Sequence, residues 1–127
     1  MDSHGAELNP LSKRIIGCSL KVAGTLGSGF LEKVYERALL TELKLRGIQA
    51  AAQVSLPVTY KGHRVGDYCA DLLVEGVLLV ELKCVEHLAA EHLAQCLNYL
   101  RASGKTVCLL INFQHPTVEW KRIVNQF

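Results

Sequence analysis

Three charged residues stand in the most apolar stretch of this chain: Asp71, Glu81 and Lys83. Their neighbours include Leu72-Leu73-Val74 and Leu78-Leu79-Val80. Isolated charges do not enter a core unpaired, because desolvation costs several kcal/mol for each. Glu81 and Lys83 are two residues apart on an extended segment, so both side chains leave the same face. Two converging carboxylates would form a hard, oxygen-rich site that suits Mg²⁺ or Mn²⁺, with water in the remaining positions. A neighbouring lysine can orient and activate a water or stabilise developing negative charge. That is equipment for hydrolysing a phosphodiester. A buried carboxylate–lysine ion pair that only pins a hairpin is the plainer alternative, and spacing alone leaves both open.

Whether Asp71 joins Glu81 depends on the turn between their strands. A two-residue loop at Glu75-Gly76 would pair Val74 with Val77 and set Asp71 opposite Val80, on the wrong face. A three-residue loop, Glu75-Gly76-Val77, pairs Asp71 with Glu81. The expectation is the longer loop and converging carboxylates.

The elements that must position these residues follow from hydrophobic period. A first helix is capped by Asn9 or Ser12 and runs to about Gly24, with Ile15, Ile16, Cys18, Val22 and Ala23 on its apolar stripe. A second runs from about Phe30 to Arg46 and stops at Gly47. From Ala51 the period changes, and Val54, Leu56, Val58 and Tyr60 alternate with polar or small residues, which predicts a strand. Further strands are expected over 65–74 and 77–84, a helix over 88–102, a strand over 106–113 and an edge strand over 118–124. The fold class is α/β, a mixed central sheet flanked by helices. The step from Val77 to Phe113 should be a right-handed parallel crossover. The domain reading is a polar tail over 1–10 and one domain over 11–127.

Composition sets the outer limits. The chain has 127 residues, half of them hydrophobic, and a formal charge of +2. That excludes a disordered chain and is too mild to argue for nucleic acid by charge alone. The basic pairs Lys13-Arg14, Lys61 with Arg64, and Lys121-Arg122 read as solvated surface. The odd count of five cysteines, without a CxxC pair, reads as buried free thiols. Cys84-x-x-His87 and His92-x-x-x-Cys96 have zinc-compatible spacing, but Cys84 belongs to a strand and Cys96 to a helix. The first ten residues do not form a signal peptide, and no apolar run is long enough to span a membrane. The expected location is cytoplasmic.

Asp71-x9-Glu81-Leu82-Lys83 resembles the signature of the PD-(D/E)XK nuclease superfamily, with Ala70 where the superfamily's name has proline. Gly29-Phe30-Leu31-Glu32-Lys33-Val34-Tyr35 resembles the motif that names the GxxExxY family. Tyr68-Cys69-Ala70-Asp71, Val80 to Lys83, Gln95-x-x-x-Tyr99-Leu100 and Leu109 to Phe113 match in order, so the resemblance covers residues 11–125. It implies a restriction-endonuclease-like core and a metal-dependent nuclease acting on DNA or RNA. It implies that Asp71 and Glu81 bind Mg²⁺ or Mn²⁺, that the Leu82 carbonyl completes the site, and that Lys83 orients the attacking water. Glu32 matches an acidic residue that adds to the metal shell, often through water. Gln95 matches a polar helix position in several members. The alternative is a catalytically idle nuclease fold serving as a nucleic-acid-binding or scaffold module. A core this small has few residues left for grasping a duplex, so a homo-oligomer or a partner is expected to supply further surface.

Overall fold

The computed structural model describes residues 8–125. Two helices, α1 (Asn9–Leu26) and α2 (Glu32–Leu45), precede three strands, β1 (Ala50–Tyr60), β2 (His63–Val74) and β3 (Leu78–Lys83). Then come α3 (Ala90–Ser103), β4 (Val107–Asn112) and β5 (Glu119–Val124). The five strands form one sheet in the order β1-β2-β3-β4-β5. Every neighbouring pair is antiparallel except β3 and β4, which are parallel and joined through α3. The architecture is α/β with a mixed sheet, and each element lies within about two residues of its sequence expectation, apart from the ends discussed next.

Two helix ends differ from expectation for local reasons. α1 starts at Asn9 with Pro10 in its first turn, inside the stretch read as a polar tail. Proline is tolerated there because its missing N–H has no intrahelical partner anyway. Residues 1–7 of that expected tail lie outside the described residues. α1 also runs through Gly24 and ends at Leu26, which packs on the core and extends the stripe through Val22. The stop falls at Gly27, whose φ of 76° is in the left-handed region that favours glycine.

The central strands β3 and β4 are covered on both faces, as their doubly apolar sequences require, whereas β1 and the first half of β2 are largely exposed. Leu72, Val74, Leu78, Val80, Leu82, Leu109 and Ile111 pack with Ile15, Leu39 and Leu43 from α1 and α2. Leu79, Cys108 and Leu110 pack with Cys96, Tyr99 and Leu100 from α3. The β1–β2 hairpin changes face along its length. Val74 and Ala50 pack on the α1–α2 side, whereas Ala70, Val54 and Leu56 pack on the α3 side. The change falls at Gln53 and Asp71. Among the described residues no helix is long and apolar enough to cross a membrane.

Candidate active site

The turn between β2 and β3 is the three-residue loop. Val74 pairs with Leu78, and Leu72 with Val80, which sets Asp71 across from Glu81. Glu75 and Gly76 both have positive φ (52° and 69°), and the Val77 N–H donates to the Val74 carbonyl at 3.0 Å. Positive φ at both central residues is the mark of a type I′ turn, whose twist suits a hairpin. Val77 is the added residue that shifts the register by one.

Beyond Leu72↔Val80 the regular ladder gives way to side chains. The Asp71 N–H donates to Glu81 Oε1 at 2.9 Å, and the Leu82 N–H donates to Asp71 Oδ2 at 2.7 Å. The two carboxylates thus fill a fork where β2 leaves β3. Each spends one oxygen on a backbone amide, while Asp71 Oδ1 and Glu81 Oε2 accept no hydrogen bond from the described residues. No lysine or arginine forms an ion pair with either carboxylate among the described residues. The plain ion-pair alternative is therefore not the observed arrangement.

Glu81 is buried and Asp71 half-buried, and their like charges repel with no ion pair among the described residues to offset them. Burial, and then the neighbouring Asp71 charge, push the Glu81 carboxyl up to about 8. Asp71 is also raised, chiefly by burial, with the Leu82 amide pulling it back. Lys83 follows on the same face of β3 and is half-buried, and its positive charge favours the ionised forms of Asp71, Glu81 and Glu32. Its strand end is fixed from β4. Phe113 N–H donates to the Lys83 carbonyl at 2.9 Å, and buried Asn112 grips Val85 through both its amide nitrogen and its amide oxygen.

Glu32 opens α2, where the helix dipole favours an acid. Burial and the Asp71 charge raise its carboxyl, which places it within electrostatic reach of the fork. Tyr35 anchors that end of α2. Its ring stacks on Phe113 at 4.8 Å, and its hydroxyl donates to the Gly27 carbonyl at 2.6 Å while accepting from the Phe30 N–H at 3.3 Å. Tyr35 is thus a packed residue with a satisfied hydroxyl.

On the other side, Gln95 Nε2 donates to Tyr99 Oη at 3.0 Å, so its partner is Tyr99 and not a carboxylate of the fork. Tyr99 is buried, packs against Tyr68 at 5.4 Å, and is raised by burial and by the Glu81 charge. His92 is spent at the N-terminus of α3, where Nδ1 accepts from the Ala89 N–H at 2.9 Å. Glu36 escaped the sequence reading. It is 5% exposed, one turn beyond Glu32, and its charge also reaches Asp71. Its spacing of four from Glu32 is the available signal.

The donor set fits a hard divalent cation held partly by water. Among the described residues no three His, Cys, Asp or Glu side chains come together as a complete ligand group. The zinc-compatible set of Cys84, His87, His92 and Cys96 therefore does not assemble, and Cys96 is buried in the core under α3. Asp71 and Glu81 supply two carboxylates with an uncommitted oxygen each, and Mg²⁺ characteristically pairs one or two carboxylates with several waters. A groove of about 290 Å³ between α1 and β5, lined by Ile16, Leu20, Trp120 and Arg122 among others, contains none of these groups.

The model of the PD-(D/E)XK nuclease superfamily matches residues 9–123. The chain belongs to that superfamily. Among solved structures, this PD-(D/E)XK protein is similar to an alkaline exonuclease (LHK-Exo) from Laribacter hongkongensis. The TM-score is 0.50 at 15% identity, covering 85% of this chain and 76% of that one. It is also similar to SSO0001, with a TM-score of 0.59 at 14% identity, covering 96% of this chain and 62% of that one. At such identities the likeness is one of fold. No curated protein matches the chain by sequence. The superfamily's divalent-metal chemistry agrees in kind with the paired carboxylates of the fork.

Proposed function

We propose that this superfamily member is a metal-dependent nuclease of the GxxExxY family, hydrolysing phosphodiester bonds of DNA or RNA. The observation that carries the reading is the fork itself, a buried and a half-buried carboxylate facing each other, with no ion pair to either among the described residues and Lys83 on the same face. Asp71 and Glu81 would hold Mg²⁺ or Mn²⁺, the Leu82 carbonyl would complete the protein's share, and Glu32 would reach the ion through water. When bound, the ion supplies a positive charge for the phosphoryl oxygens and acidifies water. Lys83 orients the attacking water and shields the charge that builds on the phosphate. Gln95 acts through Tyr99, whose hydroxyl it holds within reach of the Glu81 charge. The exonuclease named above is a fold neighbour, and its direction of cutting is not carried over. A second copy of the chain would extend the surface available to a nucleic acid, and a cytoplasmic setting suits the free thiols.

Titration calorimetry with Mg²⁺ separates an active site from an idle fold. Wild-type protein should bind one ion, and Asp71→Asn should weaken binding at least about tenfold. Lys83→Ala should still bind the ion and yet lose cleavage by ~10²-fold or more, since it keeps both carboxylates and removes the group that orients the attacking water. An Asp71→Asn variant that binds Mg²⁺ as wild type does would contradict the proposal.

A further inference from the structure

We propose that Gln53 is a positioning residue for the carboxylate fork, tying Asp71 to α2 through Glu36. The inference rests on the cation-site reading above and assigns a role outside its ligands. Gln53 has φ of 54°, a left-handed backbone that a long side chain rarely adopts. The β1–β2 register is unbroken from Ala52↔Leu72 to Val54↔Ala70, so Gln53 sits directly across from Asp71. Here the hairpin passes from the α1–α2 side to the α3 side, and here β2 leaves β3.

The side chain of Gln53 is engaged at both ends of its amide. Its Nε2 donates to Glu36 Oε1 at 2.6 Å, and its Oε1 accepts from Cys69 Sγ at 3.3 Å. Glu36 is buried and receives a second bond from Lys33 Nζ at 3.0 Å. Glycine would take this backbone at no cost, so a glutamine there is explained by the tie its amide makes. That tie joins the β1–β2 hairpin, at the level of Asp71, to the first two turns of α2, which carry Glu32. Groups that orient metal ligands in this way typically change affinity by 10–100-fold when removed.

The test measures Mn²⁺ affinity and thermal midpoint on wild type, Gln53→Gly, Gln53→Asn and Asp71→Asn. Gln53→Gly keeps the left-handed backbone and deletes the tie. Gln53→Asn tolerates the same backbone but is one methylene too short to reach Glu36. Both should bind Mn²⁺ about tenfold more weakly than wild type, with a midpoint unchanged or raised in Gln53→Gly. Unchanged affinity in both variants overturns the inference. So does an affinity loss that occurs only together with a fall in midpoint, which marks a structural role. If wild type binds Mn²⁺ and Asp71→Asn does not, a normal Gln53→Gly refutes this inference alone. If wild type and Asp71→Asn are alike in binding none, the cation site and the inference fall together.

Discussion

At the residue scale, Glu81 sets the pH behaviour of the metal-free protein. Its folded carboxyl is raised from 4.5 to about 8, so between those values the folded chain keeps a proton that the unfolded chain has released. Folding then binds more protons than unfolding, and stability falls as pH rises through that window. Asp71 shifts in the same direction and adds to the fall. Glu81→Gln retains an oxygen for the Asp71 amide but cannot ionise. In EDTA its thermal midpoint should exceed that of wild type at pH 8 and approach it near pH 5. A wild-type midpoint that does not fall over this range would show that the fork carries no such strain. Divalent-ion binding needs the ionised forms, so it should strengthen over the same window. The key pair was legible in the chain as charges in an apolar run. Glu36 and Gln53 were not, because their meaning is a contact between a helix and a strand 17 residues apart.

At the element scale, the site is a consequence of how the turns count. One extra residue, Val77, in the β2–β3 loop brings Asp71 opposite Glu81. Counting residues was enough to pose that alternative, but strands apolar on both faces hold no pattern that chooses between its outcomes, and the turn at Glu75-Gly76 does. Helix ends were less legible. Gly24 offered a stop, but α1 runs on to Gly27 with Leu26 half-buried against the core. The left-handed Gln53 has no signal in sequence, since glutamine is not a residue that marks such a backbone. α2 is oriented by Tyr35 through its stack on Phe113 and its two hydroxyl bonds. Tyr35→Phe keeps the ring and loses both bonds, so it should cost about 1–2 kcal/mol in urea denaturation. An unchanged stability would show that the hydroxyl does not hold the Gly27–Phe30 loop.

At the scale of the whole molecule, core and site are one structure. The strands that make the chain half hydrophobic are those that carry Asp71, Glu81 and Lys83, and the sheet is buried on both faces around them. The α1–α2 layer brings Glu32 and Glu36 from one side, and α3 brings Tyr99 and Gln95 from the other. Layer order and the parallel crossover followed from the alternation of periods along the chain. The change of face in the β1–β2 hairpin did not, because no residue type there marks the left-handed backbone of Gln53 that coincides with it. The central claim is that this fork hydrolyses nucleic acid with a divalent cation. The direct measurement is cleavage of single- and double-stranded DNA and RNA by purified protein in Mg²⁺ or Mn²⁺, with EDTA and Glu81→Ala as controls. The account predicts cleavage of at least one substrate, abolished by EDTA and by Glu81→Ala in a folded protein. Cleavage that survives Glu81→Ala, or none on any of these substrates with either ion, would contradict it.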